Sequence, residues 1–245
     1  MKILAVIPAR LQSSRFSHKV LFPLRDRPLL YYVWREVAKT KCIDQTIIAT
    51  DSREVVTAAE QFGAEVELTA RKHRTGSDRA AEIAKRHQAD IIVNIQADNL
   101  GLKAPGLNRA INAFRADRGT PVGTLVRRLI NNRDLSDPDV VKAVVNRDNQ
   151  ALWFSRSVLP WVRGMRGKPR ADQFPYWYHI GIYLFRRSAL EQFARWRRSP
   201  YEKAESLEQL RILEHGGQIR AYKTRMQTVS VDSPKDLKKL AKIVR

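Results

Sequence analysis

A chain of 245 residues with 43% apolar residues suits one large domain, or one domain with a substantial excursion, and can bury a sizeable core. The formal net charge of +20 points toward nucleic acid, an anionic membrane surface or anionic small substrates. The cations are dispersed, however, and no basic motif with interleaved aromatics stands out, so the excess reads as solvated surface and no nucleic-acid partner is expected. No stretch approaches the length of a membrane span, so no membrane insertion is expected. The single cysteine, Cys42, rules out an internal disulfide and fits a reducing, cytoplasmic compartment.

Residues 1 to 116 alternate between two periodicities. Ile3 to Ile7 is a short apolar run bounded by Pro8 and reads as a buried strand. Leu29, Leu30, Val33, Trp34 and Val37 fall at helical spacing within 28–39. Gln45 to Thr50 is a second strand, and Asp51 and Ser52 offer N-caps for a helix to about Phe62, stopped by Gly63. Strands follow at 65–68 and 91–95, with helices at 77–87 and 105–114. This rhythm predicts an α/β, Rossmann-like, doubly wound and mostly parallel sheet. Ligands in such sheets bind beyond the carboxyl ends of the strands, here at loops 8–21, 70–79 and 96–104.

From about Thr120 strands predominate, at 122–127, 140–145, 151–154 and 177–185, around an irregular basic stretch at 155–176. The chain therefore reads as a single domain over 1–245 with a mixed-sheet excursion at about 150–186. Its aromatics Trp161, Phe174 and Tyr176 are candidates to cover a partner subunit, although plain core packing is the commoner case for each. Helices are expected at 187–196 and 202–215, strands at 218–223 and 229–231, and a last helix opened by Ser233 and Pro234.

Several constellations carry chemistry. Loop 7–21 lifts Arg10, Arg15, Lys19, Ser13 and Ser14 off the end of the first strand, a set of cations and hydroxyl donors suited to a polyphosphate or simply to a solvated loop. Asp98 follows the fourth strand and Asp232 follows the last; two hard oxygen ligands with phosphate oxygens suit Mg²⁺, whereas each alone is also an ordinary cap or turn residue. His73 to Arg79 form a polar turn entering a helix, whose start favours anions, though a simple capped turn fits the same residues equally well. His179 lies within an apolar strand, where a satisfied core histidine is the commoner case, and Glu208, Gln209 and Arg211 sit in a helical segment that ordinarily presents a solvated face. Serine-triad logic, zinc spacing, a Walker lysine and GxGxxG are all missing from the sequence.

Taken together these stretches resemble the sugar-acid cytidylyltransferases, and in particular the 3-deoxy-manno-octulosonate (Kdo) cytidylyltransferase family, over nearly the whole chain. Pro8, Ala9, Arg10, Ser13, Arg15 and Lys19 match the opening PAR-xx-S-x-R-x-x-x-K loop. HRTGSDRAAE, NIQADN, VVKAVVN with ALWFSRSVLPW, YHIGIYLFRR, ESLEQLRILEHG and VDSPKDL follow in matching order. The resemblance implies a three-layer nucleotidyltransferase (glycosyltransferase-A-like) fold and CMP transfer from CTP to the anomeric hydroxyl of a Kdo-like 2-keto sugar acid, releasing pyrophosphate. It further implies Mg²⁺ as cofactor, a homodimer formed through the excursion, and a place in nucleotide-sugar and lipopolysaccharide biosynthesis. By the same resemblance Ala9, Arg10, Ser13, Arg15, Lys19, Ser77 and Arg79 would hold the nucleotide, with Arg10, Lys19 and Asp98 catalytic. Asp98 and Asp232 would hold the metal. Gln96, Arg156, His179, Glu208 and Gln209 would line the sugar-acid pocket, with Arg156 facing the carboxylate.

Two departures fall at the implied site. The family's Arg-Leu-Pro-Gly-Lys-Pro-Leu is here Arg15-Phe16-Ser17-His18-Lys19-Val20-Leu21, so His18 fills a glycine position. Its Gly-Asp-Glu-Pro core is here Ala97-Asp98-Asn99-Leu100, which keeps the aspartate but replaces the next carboxylate with an amide and removes the proline. These changes bear on the sugar accepted and on turnover. They leave open a relative acting on another acidic sugar or nucleotide, or a weakened homologue that only binds.

Overall fold

The structure, a computed structural model, describes residues 1–11, 16, 18–164 and 169–231. In chain order the elements are β1 (Ile3–Ala9), a 3-10 turn (Lys19–Leu21), β2 (Pro23–Leu24), β3 (Arg27–Pro28), α1 (Leu29–Ala38), β4 (Gln45–Thr50), α2 (Arg53–Glu60), β5 (Glu65–Leu68), α3 (Gly76–Arg86), β6 (Ile91–Ile95), β7 (Asn99–Leu100), α4 (Ala104–Ala116), β8 (Val122–Arg128), α5 (Asn132–Ser136), β9 (Lys142–Val145), β10 (Ala151–Ser155), β11 (Trp177–Arg186), α6 (Arg187–Arg195), α7 (Pro200–Glu205), α8 (Leu210–Glu214), β12 (Ile219–Lys223) and β13 (Val229–Ser230). The expected last helix, with Ser233 and Pro234, lies outside the described residues.

All seven residues of β1 are buried because the strand is covered on both faces. Ile3, Ala5 and Ile7 join one apolar cluster with α1 and α4, whereas Leu4 and Val6 join a second with α3 and α6, as the period-2 alternation of a strand requires. Three layers result, helix on sheet on helix. The parallel strands run β6-β1-β4-β5, with Leu4 opposite Gln45 and Ile3 opposite Ile91. Beyond β6 the sheet turns mixed: β11 pairs antiparallel with β6, β8 and β9, β10 extends β9, and β12 returns parallel to β8, giving nine strands in all. The excursion therefore continues the main sheet rather than forming a sheet of its own.

Two expectations are revised. The helix expected at 202–215 is two short helices, α7 and α8, separated where Ser206 adopts a left-handed φ of 52°. Of the three aromatics weighed between a partner face and plain core packing, only Trp161 is exposed. Tyr176 is buried with its hydroxyl donating to Pro160 O at 3.3 Å, and Phe174 packs edge-on against it at 5.2 Å. Gln209 and Arg211, expected on a solvated face, are each 1% exposed.

What positions the site is the register between β6 and β11. Ile182 lies opposite Ile95, so His179 and Gly181 fall just beyond the carboxyl end of β6, beside the loop Gln96–Asn99. The short ribbon β7–β13 pairs Asn99 with Ser230, and Val231 N donates to Asp98 O at 3.4 Å. Sequence-distant segments thus converge at one end of the central strands.

Candidate active site

The loop after β1 meets the turn before α3. Arg10 donates through Nη2 to the carbonyl of His73. Burial first, and the charge of Arg79 second, lower the Arg10 pKa against the opposing carboxylates Asp51, Glu208 and Asp78. A guanidinium whose charge is disfavoured by burial and a neighbouring cation is relieved by an arriving polyanion, an electrostatic condition that suits phosphates. Ala9, the last residue of β1, is buried beneath. Ser13 and Arg15 lie outside the described residues.

Lys19 and Asp98 are in direct contact, Nζ to Oδ2 at 2.5 Å, with Lys19 only 8% exposed. The turn that carries Lys19 is set by His18, whose φ of 58° and ψ of 19° are left-handed, with His18 N donating to Leu11 O at 3.0 Å. The backbone therefore keeps the conformation that glycine adopts freely, and the histidine bears the strain, about 1 kcal/mol for a β-carbon there. The fourth-strand loop absorbs its own substitutions in a similar way. Asn99 Nδ2 donates to Gly181 O at 3.3 Å, a contact a carboxylate cannot make, and Leu100 N donates to Asp98 O at 3.0 Å, a bond proline lacks.

Thr75 and Asp78 close a capping box at the start of α3. The anion at this helix start is Glu208: Ser77 N and Oγ donate to its two oxygens at 3.1 and 2.9 Å, and Asn94 Nδ2 backs Ser77 Oγ at 2.9 Å. Burial nevertheless raises the Glu208 pKa, with the Ser77 and Thr75 donors opposing it. Ser77 and Arg79, expected to touch the nucleotide, have buried side chains here. Arg79 is fully buried, pairing with Asp51 at 2.8 Å and with Thr69 Oγ1. Ser77 is likewise buried, at 1% exposure.

A cavity of about 430 Å³ joins these parts, with Thr75, Gly76, Gln96, Asp98, Arg156, His179, Glu208 and Gln209 in its wall. Gly76 allows Gln96 to approach: a β-carbon there would stand 2.6 Å from Gln96 Nε2. His179 is 5% exposed, and burial pushes its pKa down to about 3, so it is neutral. Its tautomer follows from its partners. Thr124 Oγ1 donates to Ile182 O at 2.8 Å and Gln209 Nε2 donates to His179 Nδ1 at 3.4 Å, which leaves Nε2–H to donate to Thr124 Oγ1 at 2.9 Å. Tyr183 donates to Gln209 Oε1 at 2.8 Å and completes the chain. His179 is thus both a satisfied interior residue and part of the cavity wall. Arg156 is largely committed, with Nε on Glu205 O at 2.7 Å and Nη1 on Pro138 O at 2.9 Å.

Sequence reasoning missed the scaffold behind this wall. Arg211 donates to Glu202 at 2.7 and 2.8 Å and to Asp78 at 2.9 Å, and stacks over Phe193 at 4.0 Å. It thereby ties the start of α3 to the segment carrying Glu208 and Gln209. Arg198, also in the cavity wall, donates from Nε to Glu202 Oε1 at 3.1 Å. The only signal for either was a cation four or more residues from a glutamate, which a solvated helix face produces equally well.

Among the described residues no group of three His, Cys, Asp or Glu side chains converges. Asp98 with a second carboxylate fits a hard divalent ion that completes its shell with substrate oxygens and water, not a closed protein cage.

Comparison with known proteins agrees with this geometry. The profile of the family described as cytidylyltransferase matches residues 4–224. A 3-deoxy-manno-octulosonate cytidylyltransferase from Geobacter metallireducens is 41% identical, covering 98% of this chain and 96% of its own. The enzyme of the same name from Solibacter usitatus is 37% identical, covering 100% and 95%. A solved structure of CMP:2-keto-3-deoxy-manno-octonic acid synthetase complexed with CTP superposes with a TM-score of 0.89 at 33% identity, over 99% of this chain and 98% of that one. A glucose-1-phosphate thymidylyltransferase from Bacillus anthracis, at 14% identity and a TM-score of 0.70, shares the fold. The chain belongs to the cytidylyltransferase family.

Proposed function

We propose that this protein transfers CMP from CTP to the anomeric hydroxyl of a Kdo-like 2-keto sugar acid and releases pyrophosphate. The observation that carries the reading is the single cavity in which the turn before α3, Asp98 and the wall of Gln96, His179, Glu208 and Gln209 meet. Such a reaction requires little covalent participation by the protein. Rate comes from in-line positioning and from neutralising charge on the phosphates. Arg10 and Lys19, with Ser13 and Arg15 of the same loop, would hold the triphosphate, Lys19 exchanging its contact with Asp98 for phosphate oxygens. Ser77 and Arg79 position the nucleotide-facing loops from behind. Gln96 and the neutral His179–Gln209 pair would orient the acceptor's hydroxyls, with Arg156 bracing the wall through Glu205 O and Pro138 O.

Mg²⁺ suits Asp98 and Asp232 as hard oxygen ligands; Asp232 lies outside the described residues, and its neighbour Val231 donates from N to Asp98 O at 3.4 Å. Held there, such an ion would supply Lewis-acid polarisation of the phosphate and a lowered pKa for the attacking hydroxyl. The reading also takes the chain as one domain acting in the cytoplasm as a homodimer through the 155–185 region, where Trp161 is 72% exposed.

Asp98→Asn tests the site. It should abolish pyrophosphate release while the circular dichroism spectrum and melting profile stay those of the parent. Substantial residual turnover would remove Asp98 from the proposed machinery.

A further inference from the structure

The cavity wall holds one cation that the sequence motifs do not account for. Arg198 immediately precedes α7, and its side chain is 30% exposed. Its Nε is fixed on Glu202 Oε1 at 3.1 Å, and Glu202 is itself 1% exposed and held by Arg211 and by the capping box with Ser199. An alternating series, Asp78–Arg211–Glu202–Arg198, therefore runs from the start of α3 to the cavity and ends in a guanidinium. Among the described residues no acceptor meets either Nη group of Arg198. Arg156 differs: Nε and Nη1 are spent on the carbonyls of Glu205 and Pro138, and Asp139 stands 3.6 Å from Nη1.

A carboxylate binds an arginine best through two parallel N–H groups, and such a fork adds geometric selection to charge. Among the described residues Arg156 keeps only Nη2 without an acceptor, so each of its paired edges includes a nitrogen already engaged, whereas Arg198 has both terminal Nη groups. Arg198 shares its cavity with His179, Glu208 and Gln209, whereas Arg10 and Lys19 belong to the segment that follows β1. We propose that Arg198 is the specificity-determining residue for the acceptor's carboxylate, gripping it bidentately while Arg156 holds the 137–139 and 205 backbone in place. This assignment rests on the acceptor-pocket reading above and adds to it which side chain selects for an acid.

The test compares 3-deoxy-manno-octulosonate with its C1 amide as acceptors, by pyrophosphate release and by calorimetry with CTP present. For Arg198→Met the acceptor KM should rise about 10- to 100-fold with the KM for CTP unchanged, as expected for losing a hydrogen-bonded charge. The preference for acid over amide should vanish. Arg198→Lys, which keeps the charge and the reach to Glu202 without the fork, should fall between. Arg156→Met should retain the preference even if turnover drops. A purely structural Arg198 would alter stability or kcat but leave the acid-to-amide ratio unchanged. If the parent uses the acid and Arg198→Met keeps its full preference, the assignment is overturned and the proposed function stands. If the parent binds CTP but releases no pyrophosphate with the acid, both fall.

Discussion

Arg211→Met removes the joint between α3 and the α7–α8 segment while preserving most of the side chain's volume over Phe193. Arg211 and Glu202 have side-chain exposures of 2% and 1%, and Asp78 is 20% exposed. Without the guanidinium, Glu202 keeps only Arg198 as an ion partner, and Asp78 keeps only its capping box. Breaking a buried, hydrogen-bonded pair on one side costs about 3–5 kcal/mol, because the remaining carboxylate stays desolvated. In a chain of this length about 2–4 °C is lost per kcal/mol, so the melting temperature should fall by roughly 6–20 °C. Urea unfolding followed by circular dichroism measures the loss directly. Adding Glu202→Gln to Arg211→Met should recover part of it, since the stranded charge is gone, and the double-mutant cycle should give a coupling above about 1 kcal/mol. A loss below about 1 kcal/mol, or strictly additive effects, would refute the view that this ion-pair chain is the scaffold of the acceptor wall.

Three further outcomes follow from individual residues. His18→Gly relieves a left-handed β-carbon but adds freedom to the unfolded chain, so stability should change by no more than about 1 kcal/mol and turnover should be kept or raised; a marked loss of both would show that the imidazole itself is needed. Gly76→Ala places a methyl 2.6 Å from Gln96 Nε2, so Gln96 must swing away, and the acceptor KM should rise with the fold intact. The pKa of His179, about 3 in the folded chain against 6.5 ordinarily, means that the unfolded chain binds the extra proton as pH falls through 6.5. Its contribution to stability is complete above pH 6.5 and declines toward pH 3, with about 2 kcal/mol lost at pH 5. His179→Gln should flatten that part of the stability–pH curve.

The parallel half of the fold was legible because its strands are buried on both faces. Runs such as Ile3–Ile7 and Ile91–Ile95 carry no competing helical period, and they mark the loops where ligands bind. The break between α7 and α8 was not legible. Residues 202–215 carry a continuous helical pattern, and nothing local to Ser206 announces a left-handed residue. The same limit hid the interior of the site. Ser77, Arg79 and Arg211 are polar residues that a sequence places on a surface, and only tertiary pairing with Glu208, Asp51, Glu202 and Asp78 makes their burial affordable. His18 and Asn99 were visible as departures, but their accommodation was not, because it depends on a backbone angle and on the position of the Gly181 carbonyl.

The central claim is a reaction, and the most direct measurement is pyrophosphate release from CTP with Mg²⁺ and 3-deoxy-manno-octulosonate, run beside UTP and beside neutral ketoses. The account predicts release that requires both CTP and the acid and that disappears in Asp98→Asn. Tight CTP binding without release for any 2-keto sugar acid would contradict it.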